Sequence, residues 1–522
     1  MRYIPKDAVV VAGINIKSLG KKIAWNAITG SKLFKEMQQR IPEKNAKDAI
    51  SGIEKAGIDV MNTFYVYVKT DTRFKGGNRI TGLVPLSDAG QWEAYVRRVF
   101  PNVAITQHGD RKEASLGTDM YVGWNKELLI VINVMSVGGD LDSARVSVSS
   151  AMGSADLTAE MENAFSVSKD NSINTNKNFL ALEKAGHDVT FWLNYDQLMT
   201  QYSGNMAERV GVALSGALWK DAAFASGFDF KKGKITGDIH YYVADELKEV
   251  GKELGAANIS GDMVARLPHD NFDMLFAWHL SPKGLKGLLE KTGLLGLANI
   301  GVSNSGMTLD NLLDAFTGDM AFSMNDFRLS NEMVTDSFMG QAVTHKAQKV
   351  DFGMSYVIKV NNKDQFHKLV QLAKDNGLQP SGNGFVFPVS EKDSVFILMN
   401  DEYVVASNKR VTASGFLDGK FKSQKMPDAV SPVVEHPLAL FLDIKQMFGN
   451  VDLGVATNAQ DSVMIMESKK LLSNFSLSGG EFKNNAFEYH LDVNFINTDE
   501  NSIIQLMDYG MKMNDADKLA GN

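Results

Sequence analysis

Apolar and polar positions alternate with two different periods along this chain, and the change from one to the other recurs. Val9-Val10-Val11-Ala12-Gly13-Ile14 is a short apolar run rich in β-branched residues, which suits a covered strand. It ends at Asn15, and Leu19 follows one helical turn on. The run Val189–Leu193 ends at Asn194 with Leu198 following, and Leu438–Leu442 ends at Asp443 with Met447 following. A fourth version, Met274–Trp278, departs from the pattern: His279 stands at the polar position, and Ser281-Pro282 comes after it. The spacing predicts four strand-to-helix units. Asn15, Asn194, Asp443 and Ser281 are expected to cap the helices, because a short polar side chain there accepts hydrogen bonds from the first free backbone N–H groups. Pro282 suits the first helical position.

The pattern between these units also repeats. Thr63–Lys69 and Arg79–Leu86 read as strands around a Gly76-Gly77-Asn78 turn, and Ser87 reads as the cap of a helix carrying Trp92, Tyr95, Val96 and Val99. Met120–Trp124 and Leu128–Val134 form a predicted hairpin at Asn125-Lys126-Glu127. In the second half, strand Phe352–Val360 precedes a helix capped by Asn361 or Asn362 with Phe366, Leu369, Val370 and Ala373 on one face. Strands then flank Asn400-Asp401-Glu402. Ser226-Gly227-Phe228-Asp229-Phe230-Lys231 matches Ser478-Gly479-Gly480-Glu481-Phe482-Lys483, each opening a hairpin. The expected fold class is therefore α+β. Two tandem related halves, residues 1–258 and 259–522, each hold a mainly antiparallel sheet, packed helices and two strand-to-helix units. Val11 and Ile14 are expected to be buried with Leu19, and Leu440 and Leu442 with Met447. Short helices are expected at 32–37 and 48–56. Residues 137–175 and 327–350 show no period and are expected to be surface loops or insertions.

Composition narrows the function classes. Of 522 residues, 44% are hydrophobic and 22% charged, enough for sizeable cores. A net charge of -8 without a Lys/Arg block argues against nucleic acid as the partner. No run is long and apolar enough to span a bilayer. There are no cysteines, which excludes disulfides, thiolate metal sites and a thiol nucleophile. The nine histidines are dispersed without metal-ligand spacing, and His240 and His490 read as outward strand residues. No nucleophile elbow or phosphate-binding loop is present. Asp7, Asp59, Asp270 and Asp319 are possible acid/base carboxylates, but each lies beside a strand or turn, where capping is the ordinary use. No catalytic, cofactor-binding or metal-binding residue is therefore assigned, and no cofactor is expected. A calcium ion in loops such as 140–142 is harder to exclude. The 25 methionines serve first as core filler.

The opening Tyr3-Ile4-Pro5-Lys6-Asp7-Ala8-Val9-Val10-Val11-Ala12-Gly13-Ile14-Asn15 resembles the start of a family of Bacteroidota envelope lipoproteins that carries only a domain-of-unknown-function label. The resemblance extends to the Leu19 helix, to Leu312-Leu313-Asp314-Ala315-Phe316-Thr317-Gly318-Asp319 and to Leu440-Phe441-Leu442-Asp443. Members of that family usually begin with a signal peptide and an acylated cysteine; neither pattern stands here. The resemblance implies a periplasmic or outer-membrane-associated protein, anchored through a lipid on a cysteine upstream of Met1. With no catalytic grouping in the sequence, the expected role is a non-catalytic binding or scaffold module for an envelope protein or an apolar or glycan ligand. The alternatives are a periplasmic carrier of an apolar ligand, or an enzyme whose site is assembled between the halves. The oligomeric state stays open. The absent cysteines and scattered histidines predict that elemental analysis of chelator-free protein finds no stoichiometric transition metal; one tightly held zinc per chain would reject this.

Overall fold

The computed structural model describes residues 1–22, 55–71, 77–116, 120–136, 154–200, 218–303, 306–338, 341–390 and 393–520. The expected helix at 32–37, most of that at 48–56 and the loop at 137–153 lie outside these residues. The chain is a mixed α and β protein with extensive antiparallel sheet, and its contacts divide it into two compact units, Met1–Lys231 and Lys232–Asn522.

The first unit contains β1 (Val10–Asn15), β2 (Thr63–Asp71), β3 (Gly77–Pro85), β4 (Ile105–His108), β5 (Arg111–Leu116), β6 (Met120–Trp124), β7 (Leu128–Ser136), β8 (Val189–Asn194) and β9 (Ala223–Lys231). They pair antiparallel in the spatial order β9–β8–β1–β2–β3–β7–β6–β5–β4. Among its described helices are α1 (Ile16–Lys22), α2 (Ala89–Val99), α3 (Ser154–Phe165) and α4 (Lys177–Ala185).

The second unit contains β10 (Lys234–Tyr242), β11 (Phe272–His279), β12 (Phe316–Phe338), β13 (Gln341–Val360), β14 (Gly384–Pro388), β15 (Ser394–Met399), β16 (Tyr403–Ser407), β17 (Leu438–Leu442), β18 (Leu472–Lys483) and β19 (Ala486–Phe495). Their order is β10–β19–β18–β17–β11–β12–β13–β16–β15–β14, again antiparallel. Residues 232–258, assigned to the first half by sequence, lie in the second compact unit. The reason is β10, which pairs with β19 along its whole length, from Lys234↔Asn494 to Tyr242↔Ala486.

The four strand ends behave as their residues dictate. Asn15 Oδ1 accepts from Ser18 N at 3.0 Å, Asn194 Oδ1 from Gln197 N at 3.2 Å, Asp443 Oδ1 from Gln446 N at 2.8 Å and Ser281 Oγ from Gly284 N at 3.2 Å. Each satisfies a donor that the following helical turn leaves free. The hairpin turns match as well. Asn125 Oδ1 accepts from Glu127 N and Leu128 N at 3.0 and 2.9 Å, and Asn400 Oδ1 from Glu402 N and Tyr403 N at 2.9 and 2.8 Å.

The core of the first unit packs Trp92, Tyr95, Val96 and Val99 of α2 against Val122, Trp124 and Leu129. The second packs Leu275, Ala277, Val357, Val405, Phe416 and Phe441.

Four expectations are corrected. In β1, Val11 and Gly13 are buried while Ile14 is 37% exposed; in β17, Ala439 and Phe441 are buried and Leu440 and Leu442 only partly. Residues 11 and 14 cannot share a face of a strand, whose side chains alternate with period two. Asp88, not Ser87, caps α2, with Ser87 Oγ donating to Gly57 O instead. Within 137–175, Ser154–Phe165 is helical and buries Leu157, Met161 and Ala164. That helix approaches the sheet at Gly123, where a Cβ would stand 2.5 Å from Met161 Sδ. Finally, the described residues of 327–350 form a two-stranded ribbon, paired from Arg328↔Asp351 to Phe338↔Gln341. Leu329 ties it to the chain near Val451, receiving Asp452 N at 2.8 Å on its carbonyl.

Leu275→Ala, at a site with no exposure, is expected to destabilise by roughly 2–5 kcal/mol. Asn15→Ala is expected to cost about 0.5–2 kcal/mol. Ile14→Ala should cost clearly less than Leu275→Ala, which urea unfolding of the three variants measures.

Candidate functional site

Strand alternation puts Thr63, Tyr65, Tyr67 and Lys69 of β2 on one face of the first unit's sheet. Pairing sets Leu83, Thr81 and Arg79 of β3 beside the last three. The segment around Ile4 packs on this face. Ile4 is fully buried, Ile173 N donates to its carbonyl at 2.9 Å, and Lys6 N donates to Asn171 O at 2.8 Å. Residues on either side of Ile4 line two clefts.

The first cleft is polar, about 530 Å³, with Pro5, Lys6 and Asp7 on one side, Tyr67, Lys69, Arg79 and Thr81 beneath, and the end of α3 on the other. Lys69 Nζ pairs with Asp7 at 2.7 Å, and Arg79 Nη1 with Glu160 at 2.6 Å. Burial pushes the Tyr67 phenol up from its usual range, against the pull of a hydrogen bond with Thr81.

The second cleft, about 610 Å³, is walled mainly by apolar and aromatic groups: Tyr3, Tyr65, Leu83, Pro85, Leu128 and Leu180. Glu183 on α4 is its acidic group. Its two oxygens accept from Tyr65 OH at 2.5 Å and Thr190 Oγ1 at 2.7 Å. Gly13 makes room for this network, since a Cβ there would lie 2.5 Å from Thr190 Oγ1 and 3.1 Å from the Tyr65 ring. Burial, then the Glu183 charge, pushes the Tyr65 phenol far up, so it stays a donor. Met1 also lines this cleft.

The second unit holds a different polar network. His279 Nδ1 lies 3.0 Å from Asp319 Oδ1, Thr317 Oγ1 donates to Asp319 Oδ2 at 2.8 Å, and Ser260 N donates to Asp319 Oδ1 at 3.2 Å. Lys359 Nζ donates to Ser260 Oγ at 2.9 Å. A nucleophile needs a base to accept its proton; here the Ser260 hydroxyl is the acceptor, and Asp319 binds its amide. Nearby, burial would raise the Asp262 carboxyl, but Lys422, Arg266 and Tyr403 together outweigh it and hold the group well below the carboxylate range.

The four carboxylates raised by sequence have separate partners. Asp7 pairs with Lys69 in the polar cleft, Asp59 accepts from Met61 N at 2.9 Å, Asp270 accepts from Gln424 at 2.6 Å, and Asp319 meets His279. His240 and His490 sit on β10 and β19, His490 Nδ1 lying 2.9 Å from Asp238. Among the described residues, no group of three or more acidic or histidine side chains is placed to hold a metal. No described helix is long and apolar enough to cross a membrane. Sequence reasoning missed Glu183, Tyr65, Arg79 and Glu160. The one available signal was Gly13, because a glycine inside a strand marks close approach of another group.

No family model matches this sequence, and no curated protein does. Three solved structures of TP0453 align with part of it. Crystal form IV covers 46% of this chain and 80% of that one at 12% identity and a TM-score of 0.23. Form III covers 52% and 87% at 10% identity and 0.25, and form I 49% and 80% at 11% and 0.23. Similarity at this level carries no inference.

Gly13→Ala is expected to cost roughly 1–3 kcal/mol by overpacking the Thr190–Tyr65–Glu183 network, read as a lower melting temperature. A depressed carboxylate pKa contributes stability above the unfolded value, near 3.9, that is lost as pH falls toward the folded value. Asp262→Asn should therefore lower the melting temperature at neutral pH by more than it does at about pH 2.

Proposed function

We propose that this chain is a non-catalytic binding protein of the cell envelope, periplasmic or outer-membrane-associated, and that its apolar cleft takes a ligand with an apolar body. The observation that carries this reading is the cleft of about 610 Å³ formed by Tyr65, Leu83, Pro85 and Leu128, side chains set on paired strands. Small-molecule sites are typically mostly apolar concavities with a few placed polar groups. The neighbouring polar cleft supports binding over acid/base work, since its carboxylates Asp7 and Glu160 are each tied to a cation. The envelope location rests on the resemblance of the opening residues to Bacteroidota lipoproteins.

The scaffold is read as a duplication. The spatial order β9–β8–β1–β2–β3–β7–β6–β5 of the first unit has the same sequence logic as β18–β17–β11–β12–β13–β16–β15–β14 of the second. In sequence, β10 then corresponds to β19, which keeps the repeat boundary near residue 258. Each half contributes two strand-to-helix units, and in each the two motif strands are antiparallel neighbours, β1 with β8 and β11 with β17.

Full-length protein purified from its native envelope and extracted with organic solvent tests the binding reading by mass spectrometry. The expected result is a small molecule with an apolar portion that is depleted in Leu180→Trp, where an indole at the exposed cleft rim would block entry. An extract indistinguishable from that of an unrelated envelope protein would reject it.

A further inference from the structure

The two clefts of the first unit differ in charge balance. In the polar cleft each carboxylate has a cation: Asp7 has Lys69 and Glu160 has Arg79. In the apolar cleft Glu183 is bound only by neutral hydroxyls, those of Tyr65 and Thr190, and among the described residues no lysine, arginine or histidine side chain pairs with it. A carboxylate offers about four lone-pair sites, so two hydroxyls leave capacity unused. Lys184 lines the cleft next to it but is exposed and makes no ion pair with Glu183. A carboxylate without a cationic partner at an apolar wall can receive a cationic group that enters the cleft. The Tyr65 ring stands in the same cleft, and the negative face of an aromatic ring favours cations; the Tyr3 ring there already carries the Arg2 guanidinium, 4.5 Å from its centroid.

We propose that the apolar cleft selects a ligand carrying an ammonium group on an apolar body, with Glu183 receiving the cation and Leu83, Leu128 and Leu180 covering the body. This rests on the reading of the cleft as a binding site and adds the ligand's charge. Gly13 and Thr190 are positioning residues: the missing side chain of one and the hydroxyl of the other hold Glu183 where it faces the cleft.

Three probes of equal chain length separate charge from apolarity: nonylamine, nonanol and nonanoate, titrated calorimetrically at neutral pH below their aggregation limits. The amine is expected to bind at least roughly tenfold more tightly than the alcohol, and nonanoate more weakly than either. Glu183→Gln keeps a hydrogen-bond acceptor for Tyr65 or Thr190 but removes the charge. It should bring the amine down to the alcohol's affinity in the same variant, with a far-UV circular dichroism spectrum like the parent's showing that the fold survives. Lys184→Gln should strengthen amine binding. Equal binding of amine and alcohol by the parent would overturn the ammonium selection while leaving an apolar binding site standing. A preference that persists in Glu183→Gln would overturn the role of Glu183. Binding of none of the three would overturn this inference, and the native extraction would then decide the broader reading alone.

Discussion

A buried aspartate beneath the paired motif strands holds each unit's sheet and helices together. In the first unit Asp188 is fully buried; its Oδ2 accepts from Phe230 N at 2.7 Å and its Oδ1 from Ser18 Oγ of α1 at 2.6 Å, with Lys22 pairing at 2.5 Å. In the second unit Asp273 is fully buried. Its Oδ2 accepts from Phe327 N at 2.6 Å and its Oδ1 from Gln446 Nε2, on the helix after β17, at 3.0 Å. In both cases the aspartate's own carbonyl receives the amide of the capping residue on the neighbouring strand: Asn15 N to Asp188 O and Asp443 N to Asp273 O, each at 2.8 Å. One residue thus fixes the register of the central strand pair, the start of a helix and the path of a third segment. A buried carboxylate is tolerated only where its lone pairs are used in this way.

The two aspartates solve the charge problem differently. Lys22 compensates Asp188, whereas Asp273 has only neutral donors, and burial pushes its carboxyl up. The contrast parallels the one between the two clefts, where the carboxylates of one meet cations and Glu183 of the other meets only hydroxyls.

The capping residues were legible in the sequence because they are local: Asn15, Asn194, Ser281 and Asp443 act on amides three positions on, and nothing distant is needed to place them. The turns at Asn125 and Asn400 were legible for the same reason. Where long-range packing decides, the sequence reading failed. Ile14 faces outward because β1 is flanked by β2 and β8, so its inward face is chosen by Tyr65, Thr190 and Trp192, not by its own hydrophobicity. The ribbon at 327–350 escaped because its residues are mostly exposed or half-buried. Without a buried face no alternation is imposed, yet pairs such as Thr335–Thr344, with hydroxyls 2.9 Å apart, still form.

Glu183 shows why a cleft of this kind is the hardest feature to read from a chain. It sits in a helix among ordinary charged residues, where a solvated role is the default. Its setting is made by Tyr65, far earlier in the chain, by Thr190 on the next strand, and by the absence of a side chain at Gly13. Any one of these alone has a structural explanation. Their convergence on one carboxylate, with which no side-chain cation pairs among the described residues, is a three-dimensional fact that spacing cannot encode. The glycine was the residue most open to inference: a β-branched side chain would suit a strand better, so its presence at position 13 marks space reserved for another group.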